Sequence, residues 1–147
     1  MRLIHYGSNA YKEDRFVKVT NSMWHSIKPS GGLWTSPIDS DFGWIDWCIE
    51  NEFGCDLSKS FTIKISPDTR ICKIDCADDL DKLPWLTKEF DSGWTLHCID
   101  FEKARRSYDA VWLTYKGERE TRYTKPRNLY GWDCESVVIL NKEVIQA

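Results

Sequence analysis

Phe61, Ile63 and Ile65 alternate with Thr62 and Lys64, the period of a strand buried on one face. Pro67 and Asp68 supply a turn into a second apolar run at 70–75, so the pattern predicts a hairpin. Residues 2–6 predict an inner strand that Gly7, Ser8 and Asn9 end. A polar stretch follows to Lys28, and Pro29, Ser30, Gly31 and Gly32 then turn the chain into a strand at 33–35. Trp44, Ile45, Cys48 and Ile49 recur at helical spacing, with Asp39 or Ser40 as the expected cap and Gly54 as the expected stop. Segments 77–83 and 100–106 predict short helices, and 108–115 is aromatic and β-branched like a strand. Residues 135–140 are almost wholly apolar, as a central strand buried on both faces requires. The connections are too brief for regular crossover helices. The class is therefore α+β, not a doubly wound parallel sheet.

Composition narrows this further. The 147 residues, 41% of them hydrophobic, suit a single domain spanning 1–147, with no repeat or Pro/Ser-rich linker to divide it. No apolar run is long enough for a membrane span, and no basic segment leads into an apolar one at the N-terminus. A soluble, cytoplasmic protein without a membrane partner is expected. Six cysteines sit mostly in apolar runs, which reads as buried free thiols. Cys72 and Cys76 with His97 and Cys98 lack the spacing of a zinc knuckle, so no metal is assigned.

Net charge is −3, yet residues 116–128 carry Lys116, Arg119, Arg122, Lys125 and Arg127 against only Glu118 and Glu120. The overall balance argues against a wholly basic nucleic-acid binder, while this segment would attract phosphates or an acidic protein face. Tyr123 within it could stack on a base, although a solvated hairpin tip of mixed charge accounts for the same residues.

Three islands hold polar or aromatic residues where packing does not ask for them: His5-Tyr6-Gly7-Ser8, Gly32-Leu33-Trp34-Thr35-Ser36 and Asp133-Cys134-Glu135-Ser136. Glu135 heads the most apolar run in the chain, where a carboxylate either faces a cleft or lies just outside the strand in solvent. His5 is a candidate donor to a ligand hydroxyl and equally a satisfied core histidine. Gly7 permits close backbone approach but also simply makes a turn.

Together the islands resemble the His-Tyr-Glu pattern of the ADP-ribosyltransferase superfamily, in the branch that includes diphtheria toxin and the poly-ADP-ribose polymerases. That pattern has an early strand with His before Gly and Ser or Thr, a second strand with Gly-x-Tyr, and a late strand that begins with Glu. Here Tyr6 stands between His5 and Gly7, and Trp34 stands where the family has tyrosine.

The resemblance implies a split β-sheet core with few short helices and NAD as co-substrate. It implies that His5 bonds the adenosine ribose and that the Gly7 backbone pairs with the nicotinamide amide. Trp34 would stack on the cationic ring, with Trp44 or Trp47 on its opposite face. Tyr6, Ser8, Gly32 and Ser36 would complete the nucleotide contacts. Glu135 would stabilise the oxocarbenium-like ribose as the bond to nicotinamide breaks. Asp133, two residues earlier, would help to choose the acceptor, together with Arg119, Arg122 and Tyr123.

The expected function is transfer of ADP-ribose from NAD to a protein or nucleic acid, which suits a bacterial toxin or a phage effector. Two alternatives stay open. One is an RNA 2′-phosphotransferase-like enzyme, which needs a strongly basic pocket. The other is a non-catalytic binding or inhibitor protein with a basic partner-recognition loop.

Overall fold

The structure, a computed structural model, describes residues 1–147. Strand β1 is Arg2–Tyr6. The short strands β2 (Thr20–Asn21) and β3 (Pro29–Ser30) pair with each other, and β4 follows at Leu33–Pro37. Helix α1 covers Trp44–Glu50, β5 Ser60–Ile65 and β6 Ile71–Ile74. After a 3-10 helix at Ala77–Lys82, strands β7 (Trp85–Glu89) and β8 (Thr95–Ile99) form a separate hairpin. Helix α2 (Phe101–Ser107), β9 (Ala110–Leu113), α3 (Tyr115–Thr121), β10 (Ser136–Ile139) and β11 (Ile145–Gln146) complete the α+β chain. No helix is long and apolar enough to cross a membrane.

Seven strands make the main sheet in the order β11-β5-β1-β4-β10-β9-β6, antiparallel except for the parallel pair β6–β9. All four residues of β10 are buried, because both faces of the sheet are covered. On one face Val138 and Leu140 join Phe101, Leu129 and Trp132. On the other, Val137 and Ile139 pack with Leu3 and Ile63. Period-two alternation thus divides β10 between two cores.

The sheet opens between β1 and β4. Their pairing is confined to Leu3 opposite Pro37 and Ile4 opposite Ser36, whereas Leu33, Trp34 and Thr35 pair onward with β10. Beyond Ile4 the imidazole of His5 reaches the Trp34 carbonyl at 2.8 Å, so a side chain meets a backbone acceptor beside the parting strands.

Three local expectations change. The predicted hairpin of 61–65 with 70–75 does not form: β1 and β11 occupy the two sides of β5, and β6 lies at the far edge beside β9. Helix α1 is capped at Gly43, whose N–H donates to Asp46 Oδ2 at 2.8 Å, and not at Asp39 or Ser40. Ser40 is committed elsewhere, donating to Glu135 and accepting from the Phe42 N–H. The basic segment opens as helix α3, not as a loop or hairpin tip: Thr114 caps it, and Arg122 answers the buried Glu118 at 2.8 Å on the next turn. The β7–β8 hairpin has no counterpart in the sequence pattern, because Trp85 to Glu89 and the tip that follows are mostly exposed and lack a clean apolar alternation.

Candidate functional site

A cavity of about 340 Å³ lies where β1 and β4 separate, at the lower end of the range for small-molecule sites. Its apolar surface comes from Ile4, Trp34, Trp132 and Trp44, and its polar groups include His5, Tyr6, Lys28 and Asp133. Trp34 meets Trp132 edge to face at 4.8 Å. Trp132 donates its Nε1 proton to the Ile27 carbonyl at 2.8 Å, tying the segment that carries Lys28 to the core.

Trp44 is backed by Trp47 in a stack at 5.1 Å, and its Nε1 points to Cys55 Sγ at 3.5 Å. Trp47 therefore supports the cavity wall without lining it. Phe53 packs against both rings, so this wall is a preassembled aromatic cluster.

The His5 contact has a chemical consequence. A carbonyl only accepts, so Nδ1 carries the proton, and in the neutral ring Nε2 becomes an acceptor. In that tautomer His5 can accept a hydrogen bond from a ligand hydroxyl, whereas a ring protonated on both nitrogens would donate one. Tyr6 remains a phenol because burial, and then the charge of Asp46, raises its pKa. Burial likewise pushes the Cys134 thiol up to about 11, which leaves it a wall residue and not a nucleophile.

Ser36 lines the cavity but its hydroxyl proton is already used: it donates to the Glu135 carbonyl and accepts from the Trp44 N–H, both at 3.0 Å. It joins β4, β10 and α1 at one atom. Gly7 and Gly32 do not line the cavity. Gly7 has φ +103° and donates its N–H to the Lys59 carbonyl, while a Cβ on Gly32 would meet the Ile139 oxygen at 2.8 Å. Both serve the turn and close packing of the backbone. Ser8 bonds the Ala10 carbonyl at the surface.

Glu135 is buried, yet it is not part of the cavity lining. It follows the Val137 face of the strand, where Ser40 donates to Oε1 at 2.6 Å and Trp112 Nε1 donates to Oε2 at 2.9 Å. Its sequence neighbours Cys134 and Ser136 do line the cavity, so the carboxylate sits behind the cavity wall. Arg119, Arg122 and Tyr123 lie on and after α3, away from this cavity. Sequence patterning missed Ile4, Lys28, Cys55, Gly131 and Trp132 among the lining residues: Lys28 is a lysine in a polar stretch and Trp132 an ordinary core tryptophan until the fold turns them inward.

No family model matches this chain, and no curated protein or solved structure matches it.

Proposed function

We propose that the chain binds NAD in the cavity at the opening between β1 and β4 and transfers ADP-ribose to a macromolecular acceptor, as an ADP-ribosyltransferase-like split sheet would. The observation that supports this reading is the adjacency of β1, β4 and β10, which sets the strands bearing His5 and Trp34 beside the strand that Glu135 precedes. The lining suits the ligand: Trp34 and Trp44 present aromatic surface to a cationic nicotinamide, Asp133 adds a counter-charge, and Lys28 matches a pyrophosphate.

In the reaction the bond from ribose C1′ to the nicotinamide nitrogen breaks, and its electron pair leaves with neutral nicotinamide. The acceptor's nucleophilic atom bonds to C1′ and its proton passes to solvent. Glu135 would stabilise the positive sugar, which requires its carboxylate to turn from Ser40 and Trp112 towards the cavity. Of the two buried carboxylates whose oxygens are both held by side-chain donors, Asp109 is locked by Arg70 and Asn141, whereas Glu135 is held by the neutral donors Ser40 and Trp112.

A second reading has its own observation. The two hydrogen bonds to Glu135 point away from the cavity and stabilise the carboxylate where it is, which favours a protein that binds a nucleotide without cleaving it.

Nicotinamide release from NAD, with and without cell lysate as acceptor, separates the two. Release that Glu135→Gln abolishes supports the transferase. NAD binding by tryptophan quenching without release favours the binding protein, and the absence of both binding and release overturns the NAD reading.

A further inference from the structure

A second cavity, of about 380 Å³, shares Lys28 and Gly131 with the first, so the two are adjacent. It is formed by the segment around Trp24, by β8 and by the loop that ends at Gly131. The cationic or protonatable side chains among its lining residues are His25, Lys28, His97 and Arg127, and none of its lining residues is acidic. That selection is notable in a chain with more Asp and Glu than Lys and Arg. Arg127 is shared with Asp81, while no ion pair engages Lys28.

Aromatic faces line the same cavity. Trp24 is 88% exposed and Tyr130 55% exposed, although both rings could have been buried at a gain. Tyr130 lies 5.8 Å from Tyr123, itself 74% exposed, and the Arg122 guanidinium lies 5.0 Å from the Tyr130 ring centre. Basic side chains, Lys28 without an ion-pair partner and Arg127 and Arg122 each shared with one carboxylate, interleaved with open aromatic faces are the chemistry that grips a strand of nucleotides: charge follows the phosphates and rings stack on bases. An acidic peptide would use the charge but leave Trp24 and Tyr130 without a planar partner.

We infer that this second cavity binds single-stranded nucleic acid and delivers it to the first, so that a nucleotide is the ADP-ribose acceptor. The acceptor role rests on the NAD reading above, whereas the binding does not. Lys28, common to both cavities, stands where an acceptor strand and the co-substrate would meet.

The test is fluorescence anisotropy of labelled single strands of about ten nucleotides, DNA and RNA, against the corresponding duplex and a polyglutamate peptide. The full chain is expected to bind the single strands, more weakly as salt rises. Trp24→Ala and Tyr130→Ala should each weaken binding about tenfold, the scale of one lost stack. Both rings are exposed, so thermal melting should stay unchanged, and so should release of nicotinamide to water.

Failure to bind single strands at low salt, equal affinity in the variants, or preference for duplex or polyglutamate overturns the inference. Incubation with labelled NAD distinguishes the two proposals. Oligonucleotide binding without label transfer or nicotinamide release supports the groove and sinks the transferase. Nicotinamide release without oligonucleotide binding keeps the transferase and sinks the groove.

Discussion

Trp112 Nε1 and Glu135 Oε2 form a 2.9 Å hydrogen bond between a residue within β9 and the residue that precedes its neighbour β10. Ser40 completes the arrangement from the loop before α1, so a buried carboxylate has a side-chain donor on each oxygen. Removing one donor leaves part of a buried charge without a partner. Trp112→Phe keeps the ring bulk and loses the N–H, and is expected to lower unfolding free energy by about 1–3 kcal/mol in chemical denaturation. Adding Ser40→Ala should give a non-additive total, since both groups act on one carboxylate.

Gly117 illustrates a backbone contact that admits no side chain. A Cβ there would lie 2.1 Å from the Ile74 carbonyl oxygen and 3.2 Å from the Asp75 Cα, so α3 would have to move off the end of β6. Gly117→Ala is expected to cost about 1–3 kcal/mol or more, despite alanine's better helix propensity. A melting temperature equal to that of the native sequence would refute this close approach.

Acid stability should depend on Asp109. Arg70 grips its two oxygens at 2.7 and 3.0 Å, the Arg70 N–H and Asn141 add to them, and the carboxyl is held down to about 2. A carboxylate whose folded pKa is depressed contributes stability above its unfolded value of about 3.9, and loses it as pH falls through the folded value. Between about pH 4 and 2 the native chain should therefore lose stability faster than Asp109→Asn. Parallel acid melts of the two proteins would show it.

Thiol accessibility reports on the first cavity. Cys48, Cys72, Cys98 and Cys134 are buried, and burial pushes the thiols of Cys48, Cys72 and Cys134 up to about 11. Cys55 and Cys76 are partly exposed, and Cys55 lines the cavity. A thiol reagent at neutral pH should label Cys55 and Cys76 first, with the other four reacting on denaturation. NAD should slow labelling at Cys55 and leave Cys76 unchanged; equal protection at both would place the ligand elsewhere.

Trp34 and Trp44 carry the proposed ring contacts. Trp34→Ala removes a face of the cavity and its edge contact with Trp132, so NAD affinity is expected to fall at least about tenfold by tryptophan quenching. Trp47→Phe, behind the wall, should have a smaller effect.

Local pattern alone located β1, β4, α1, β5, β6, α2, β9 and β10: α2 is a short polar segment, and the others are written largely in apolar residues that suit their own element. The burial of β10 on both faces was also legible, since Val137, Val138, Ile139 and Leu140 leave no polar face to turn outward. His5, Tyr6, Trp34, Ser36, Trp44 and Asp133, picked from sequence, do meet around one cavity. The tertiary structure decided the rest. Pairing partners were not legible: β6 passes over its sequence neighbour β5 for β9, because both sides of β5 are taken by strands from the two ends of the chain. Nor was the direction of a side chain: Glu135 turns to Trp112 and Ser40, and Lys28 turns into the opening. Each of those directions depends on donors, acceptors and space supplied by residues far away in the chain, and no local periodicity records them.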